Sequence, residues 1–141
     1  SDYIITVNST VDTTREMAGR EGVPYIPLKY TIDGQTYSDM EGLSSKEFFD
    51  KLREGKMSTT SQINPDEARE ALEPYLKEEG YFASFIFIWI KWNMQQYEFA
   101  EELQEEYPER KIIVIDTLCA CLGEALLLYY VLKQKENGAT I

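Results

Sequence analysis

Three short polar stretches are where this chain could do chemistry: Asn8-Ser9-Thr10, Thr59-Thr60-Ser61-Gln62, and Asp116-Thr117 with Cys119. They offer hydroxyl and amide groups rather than acid–base pairs. Hydroxyls set beside the free backbone N–H groups of a helix N-terminus can hold an anion such as a carboxylate. The chain has no His, which removes the commonest general base, metal ligand and pH switch together. No nucleophile elbow, phosphate-binding glycine loop or metal-spaced cluster takes its place, so no nucleophile can be paired with a base. The expectation is binding without catalysis, with no cofactor and no metal. Taken singly, each stretch also fits an ordinary cap or turn, because Ser, Thr and Asn are the usual residues there. Cys119-x-Cys121 lacks a His partner and reads as packed or exposed thiols rather than a zinc site.

What would gather these stretches is the order of the elements around them. Residues 3–7 form a β-rich run that empties into Asn8-Ser9-Thr10, and Asp12 to Glu16 resemble a helix cap with an acid in the first turn, closed by Gly22. A second strand is expected over residues 23–30, irregular because of Pro24 and Pro27. Asp33-Gly34 turns the chain into a short hairpin arm over residues 35–37. Ser44 and Glu47 fit a capping box, Phe48, Phe49 and Leu52 supply the apolar stripe behind it, and Gly55 ends that helix. Residues 57–62 read as a hydroxyl-rich connector. Asn64 caps and Pro65 opens a helix to about Glu79, which Pro74 should kink or divide.

The third strand begins near Tyr81 within the aromatic run of residues 81–97. Ile86, Ile88 and Ile90 alternate as in a strand, while Trp89, Trp92, Gln96, Phe99 and Leu103 recur at helical spacing, so the change is expected between Ile88 and Lys91. The helix runs to Glu106. Residues 111–116 form a fourth strand, residues 117–123 a turn, and residues 124–136 a helix stopped at Asn137-Gly138. Residues 125–132 are apolar almost all round, as in a helix buried on both sides or one lacking a partner. The fold class that follows is α/β: a doubly wound, mainly parallel sheet of about four strands, with helices on both faces and a small hairpin insertion. In such sheets ligands bind where strands end, so the carboxyl ends carrying the three polar stretches can converge.

The 141 residues suit one domain. Fourteen basic against 25 acidic residues give a net charge of −11, which disfavours nucleic acid and anionic membranes as partners. The longest apolar run, residues 85–90, is far shorter than the ~18 residues of a membrane span. Cys119 and Cys121 lie too close in sequence to pair readily and imply no oxidised scaffold. A soluble, cytoplasmic protein is expected. The acid-rich segments 67–79 and 98–109 read as solvated helix faces.

Four segments, IITVNST, PLKYTIDGQTYSD, MSTTSQINPDE and EEYPERKIIVIDTLCACLGEALL, in this order, carry a resemblance over nearly the whole chain. The chain resembles the N-terminal domain of the DegV family, bacterial fatty-acid-binding proteins that present acyl groups to a partner kinase. The resemblance implies a single domain over residues 1–141, with the family's second α/β domain, and half of the acyl tunnel, lying beyond it and absent here. It implies Thr60 and Ser61 as contacts to the fatty-acid carboxylate, with Thr59, Ser9 and Thr10 nearby.

The chain departs from the family at two places. Asn8 stands where the family has an acid before Ser-Thr. The family's Ser-Gly-Thr loop after the third strand is replaced by Ile90-Lys91-Trp92 or by Met94-Gln95-Gln96, depending on the register, and bulky residues lack glycine's freedom of φ. Two expectations follow. One is a DegV-like fatty-acid-binding scaffold, non-enzymatic and engineered over residues 86–99, with its carboxylate site impaired. The other is an engineered interaction module in which Ile88, Trp89, Ile90, Trp92 and Met94 present an apolar surface to a protein partner or to a second copy as a homodimer. The same side chains also fit a filled cavity, and at helical spacing Trp89 and Trp92 fit an ordinary core.

Overall fold

All six residues of Tyr3–Asn8 are buried, so the strand they form, β1, must be covered on both faces and paired on both edges. The computed structural model describes residues 3–13, 15–20, 22–77, 84–89 and 95–141. In it β1 runs parallel to β2 (Tyr25–Ile26) on one edge and to β6 (Ser84–Trp89) on the other. A last strand, β7 (Lys111–Asp116), lies parallel to β6, giving the order β2-β1-β6-β7.

Successive β1 side chains point to opposite faces. Tyr3, Ile5 and Val7 pack with Ala18 of α1 (Arg15–Arg20) and Leu128 of α5 (Leu122–Glu136). Ile4 packs on the other face with Ala68, Leu72 and Leu76 of α3 (Pro65–Leu76) and with Phe99 and Leu103 of α4 (Gln95–Glu106). Two apolar layers thus enclose the sheet. Two polar joints tie its second face. Arg69 of α3 pairs with Glu106 of α4, and Gln104 of α4 accepts from the Ile112 N–H of β7 at 2.9 Å while donating to the Arg110 carbonyl.

A second, antiparallel sheet stands beside the first: β3 (Lys29–Ile32), β4 (Gln35–Ser38) and β5 (Ser58–Ser61), in the order β4-β3-β5. Asp33 and Gly34 both have positive φ, 54° and 76°, which suits the tight hairpin between β3 and β4. Helix α2 (Ser45–Arg53) connects β4 to β5 and carries the full capping box of Ser44 and Glu47.

Several sequence expectations need correction. Residues 23–30 are not one strand but β2 and the start of β3, in different sheets, because Pro27 supplies no N–H to continue a ladder. Residues 58–61 are not a connector but β5, whose Ser and Thr residues pair with β3. The hairpin insertion is therefore a three-stranded sheet. Asp12 ends a 3-10 turn, Ser9–Val11, in a left-handed conformation, and the expected first-turn acid of α1 is Glu16. Helix α3 passes through Pro74 undivided and ends at Leu76. The proline sits in the last turn and costs one hydrogen bond, to the carbonyl of Glu70, a solvent-exposed residue. Strand β6 ends at Trp89, and α4 starts at Gln95; residues 90–94 between them lie outside the described residues.

Leu72 is fully buried, whereas Leu126 on the outer side of α5 is 54% exposed. Leu72→Ala is expected to cost about 2–5 kcal/mol in urea denaturation, and Leu126→Ala less than about 1 kcal/mol. Equal losses at the two positions would contradict this assignment of the core.

Candidate functional site

The chain leaves β1 towards β2 on one side and returns on the other side as β6. The carboxyl end of β1 therefore lies where the strand order reverses, the usual place for a ligand crevice in an open α/β sheet. Asn8 and Thr10 come off that end. A cleft of about 790 Å³ opens there, between the 3-10 turn and the second sheet. Its polar lining includes Asn8, Thr10, Ser58, Thr60, Ser61 and Gln62. Its apolar lining is Leu28, Tyr30, Met40, Leu43, Phe48 and Phe49, with Lys29, Asp39, Ser44 and Ser45 also on the surface of the cleft.

The apolar lining is built on Tyr30 of β3. Its ring stacks on Tyr37 with centroids 5.5 Å apart and meets Phe48 of α2 edge-on at 5.3 Å. The Tyr30 hydroxyl accepts from the Leu43 N–H at 3.1 Å, which fixes the segment leading into α2. Gly42 lies so close that a Cβ there would come within 2.6 Å of the Tyr37 Cβ. Only glycine lets the backbone approach the ring this closely.

Two of the three polar stretches meet at the cleft. Thr60 and Ser61 line it, and so does Thr10. Thr59 does not line it; it pairs with Thr31 in β3. Ser9 is buried and does not line the cleft either, and its Oγ accepts from the Leu28 N–H at 3.0 Å, tying the 3-10 turn to the chain between β2 and β3. The third stretch folds on itself, with the Thr117 hydroxyl donating to the Cys119 carbonyl at 2.7 Å and Asp116 accepting from the Leu118 N–H at 3.1 Å. Just beyond it, the Cys121 N–H donates to the Thr10 carbonyl at 2.7 Å. Cys119 and Cys121 are free thiols, and among the described residues no cluster is suited to a metal ion.

Of the residues expected to form an apolar interaction surface, Ile88 and Trp89 belong to β6. The Ile88 backbone is in register with Val7 and Ile115, and that of Trp89 with Asp116. Ile90, Trp92 and Met94 lie outside the described residues.

Two fully buried polar residues flank Thr10, and sequence reasoning missed one of them, Glu124. Asn8 is fully buried, and its side chain caps the 3-10 turn by accepting from the Thr10 N–H at 2.9 Å. Glu124, in the first turn of α5, is also fully buried and accepts from the Thr10 hydroxyl at 2.8 Å. Burial pushes the Glu124 carboxyl up to about 7, and the Thr10 hydrogen bond only partly opposes that. An acid opening an otherwise apolar helix was the one available signal.

Comparison with known proteins places this architecture. Residues 3–141 match the profile of a family described as "Uncharacterised protein, DegV family". The chain belongs to the DegV family. It is 35% identical over 144 residues to a DegV domain-containing protein of Clostridium perfringens, covering 99% of this chain and 49% of the relative. To a DegV domain-containing protein of Caldanaerobacter subterraneus it is 31% identical, covering 96% of this chain and 48% of that one. The chain thus spans about half the length of the curated DegV relatives it matches. Among solved structures, a DegV family protein from Thermus thermophilus described by its fatty-acid binding superposes with a TM-score of 0.84 at 28% identity, over 100% of this chain and 50% of that one. DegV of Bacillus subtilis shares the fold with a TM-score of 0.82 at 20% identity, over 99% of this chain and 49% of that one. These comparisons lend no support to an engineered origin, an impaired site or a protein partner. Among the described residues no helix is long and apolar enough to cross a membrane.

Glu124 sets a pH dependence for the DegV domain's stability. The unfolded carboxyl loses its proton near the ordinary 4.5, whereas the folded one keeps it to about 7. Between those values the folded state holds the extra proton, so stability falls as pH rises from about 4.5 to 7 and is flat above. The loss is on the order of 3 kcal/mol. Urea titrations from pH 4 to 8 are expected to show this decline in wild type relative to Glu124→Gln; parallel profiles would contradict it.

Proposed function

We propose that this DegV-family chain is a non-enzymatic binding domain for a long-chain fatty acid, with the carboxylate held at Thr60, Ser61 and Thr10 and the acyl chain along the apolar lining. The observation that carries the reading is the composition of the cleft, which combines the hydroxyls of Thr10, Thr60 and Ser61 with the apolar side chains of Leu28, Met40, Leu43, Phe48 and Phe49. A carboxylate needs donors, an acyl chain needs apolar surface, and the lining supplies both. The fatty-acid binding described for the Thermus thermophilus relative supports the same ligand class. Thr59 and Ser9 support the site by holding β5 and the 3-10 turn rather than by touching the ligand. The free thiols fit a reducing, cytoplasmic setting.

Hydrogen bonds to a charged group contribute about 1.5–3 kcal/mol each. Thr60→Val combined with Ser61→Ala is therefore expected to weaken binding of palmitic acid by roughly a hundredfold or more. Titration calorimetry with the acid and with its methyl ester measures this, and wild type should prefer the acid. Equal affinity for acid and ester, or unchanged affinity in the double variant, would overturn the head-group assignment. No binding of either would overturn the function.

A further inference from the structure

The three groups behind the cleft hold one proton too few when Glu124 is ionised. Thr10 Oγ1 is in hydrogen-bond contact with Asn8 Oδ1 and, at 2.8 Å, with Glu124 Oε2. The Asn8 amide is oriented by its bond from the Thr10 N–H, which keeps its oxygen towards Thr10. A hydroxyl carries a single hydrogen, so between two acceptors only one contact can be a hydrogen bond. With Glu124 protonated its O–H donates to Thr10 Oγ1, and the one Thr10 hydrogen can go to Asn8 Oδ1 or, because that oxygen already accepts from the Thr10 N–H, can turn to a carboxylate in the cleft instead. The second Glu124 oxygen has no partner and is buried, where a neutral carboxyl is tolerated and a charge is costly.

Thr10 is the member of this chain of groups that also lines the cleft beside Asn8, whose Nδ2 is buried without an acceptor. We propose that Glu124 is a positioning residue whose protonation state decides whether the Thr10 hydroxyl can donate into the cleft, so that a carboxylate ligand binds more tightly when Glu124 is protonated. The inference rests on the fatty-acid reading given above. Ionised Glu124 draws the Thr10 proton to itself and leaves only lone pairs facing the ligand. It also sets a negative charge behind the wall that receives the anion.

The titratable groups on the surrounding described elements are Asp12 after the 3-10 turn, Asp116 at the end of β7, and Cys119 and Cys121 before α5. The raised proton affinity of Glu124 comes from its burial, opposed only by the Thr10 hydroxyl.

Two measurements test this. In ligand-free protein, carbon-13 NMR of the Glu124 side-chain carboxyl is expected to titrate near neutrality in wild type and higher in Thr10→Val, which removes the hydroxyl donor. Titration in the ordinary carboxylate range would overturn the inference whatever the ligand. Palmitic acid affinity in wild type is expected to fall roughly fivefold to tenfold between pH 6 and 8. Glu124→Gln, which cannot ionise, should hold its affinity constant over that range after correction for ionisation of the free acid. Parallel pH profiles for the two proteins, with binding intact, would overturn the role of Glu124 and leave the fatty-acid reading standing. Absence of binding at every pH would remove that reading and the ligand half of the inference with it.

Discussion

The burial of β1 on both faces is the constraint from which the rest follows. A strand with no solvent face must be paired on both edges and roofed twice, and β2, β6 and the helices α1, α3, α4 and α5 meet that demand. Because β2 and β6 flank β1 on opposite sides, the carboxyl end of β1 is left at the reversal of strand order. Asn8 and Thr10 are placed by that geometry rather than by any local preference of their own. The site is a by-product of how the sheet is wound.

Much of this was legible in the sequence because the elements concerned are specified locally. The last strand was read with the bounds observed, since Lys111–Asp116 is a continuous apolar run ending in an acid. The Ser44 capping box and the Asp33-Gly34 hairpin turn are set by three or four neighbouring residues, and both occur as written. Strand β5 was missed because Ser58-Thr59-Thr60-Ser61 has no apolar alternation to mark a buried face; its strand character comes from pairing with β3. Residues 23–30 were fused into one strand because their apolar content is continuous while the break lies in the backbone chemistry of Pro27.

The candidate site was legible in part for the same reason. Thr60 and Ser61 belong to a segment whose family resemblance is visible in the sequence, and they line the cleft. The apolar lining of Tyr30, Phe48 and their neighbours was invisible because it forms only when α2 folds back onto β3. Glu124 was invisible as well. Its environment is created by a contact across 114 positions of the chain, and nothing near it in sequence distinguishes a buried acid from a first-turn acid in solvent.

The sheet has two outer strands, and they are guarded differently. β2 is only two residues long and offers little to an incoming chain. β7 is six residues long and is paired on one side only among the described residues. There the Gln104 side chain occupies the Ile112 N–H, the first backbone donor after the charged start of the strand. A side chain in that position does what a neighbouring strand would do, without presenting a further edge. It takes up one of the backbone donors that an added strand would need, so the contact that braces α4 against the sheet also makes that edge a poorer template.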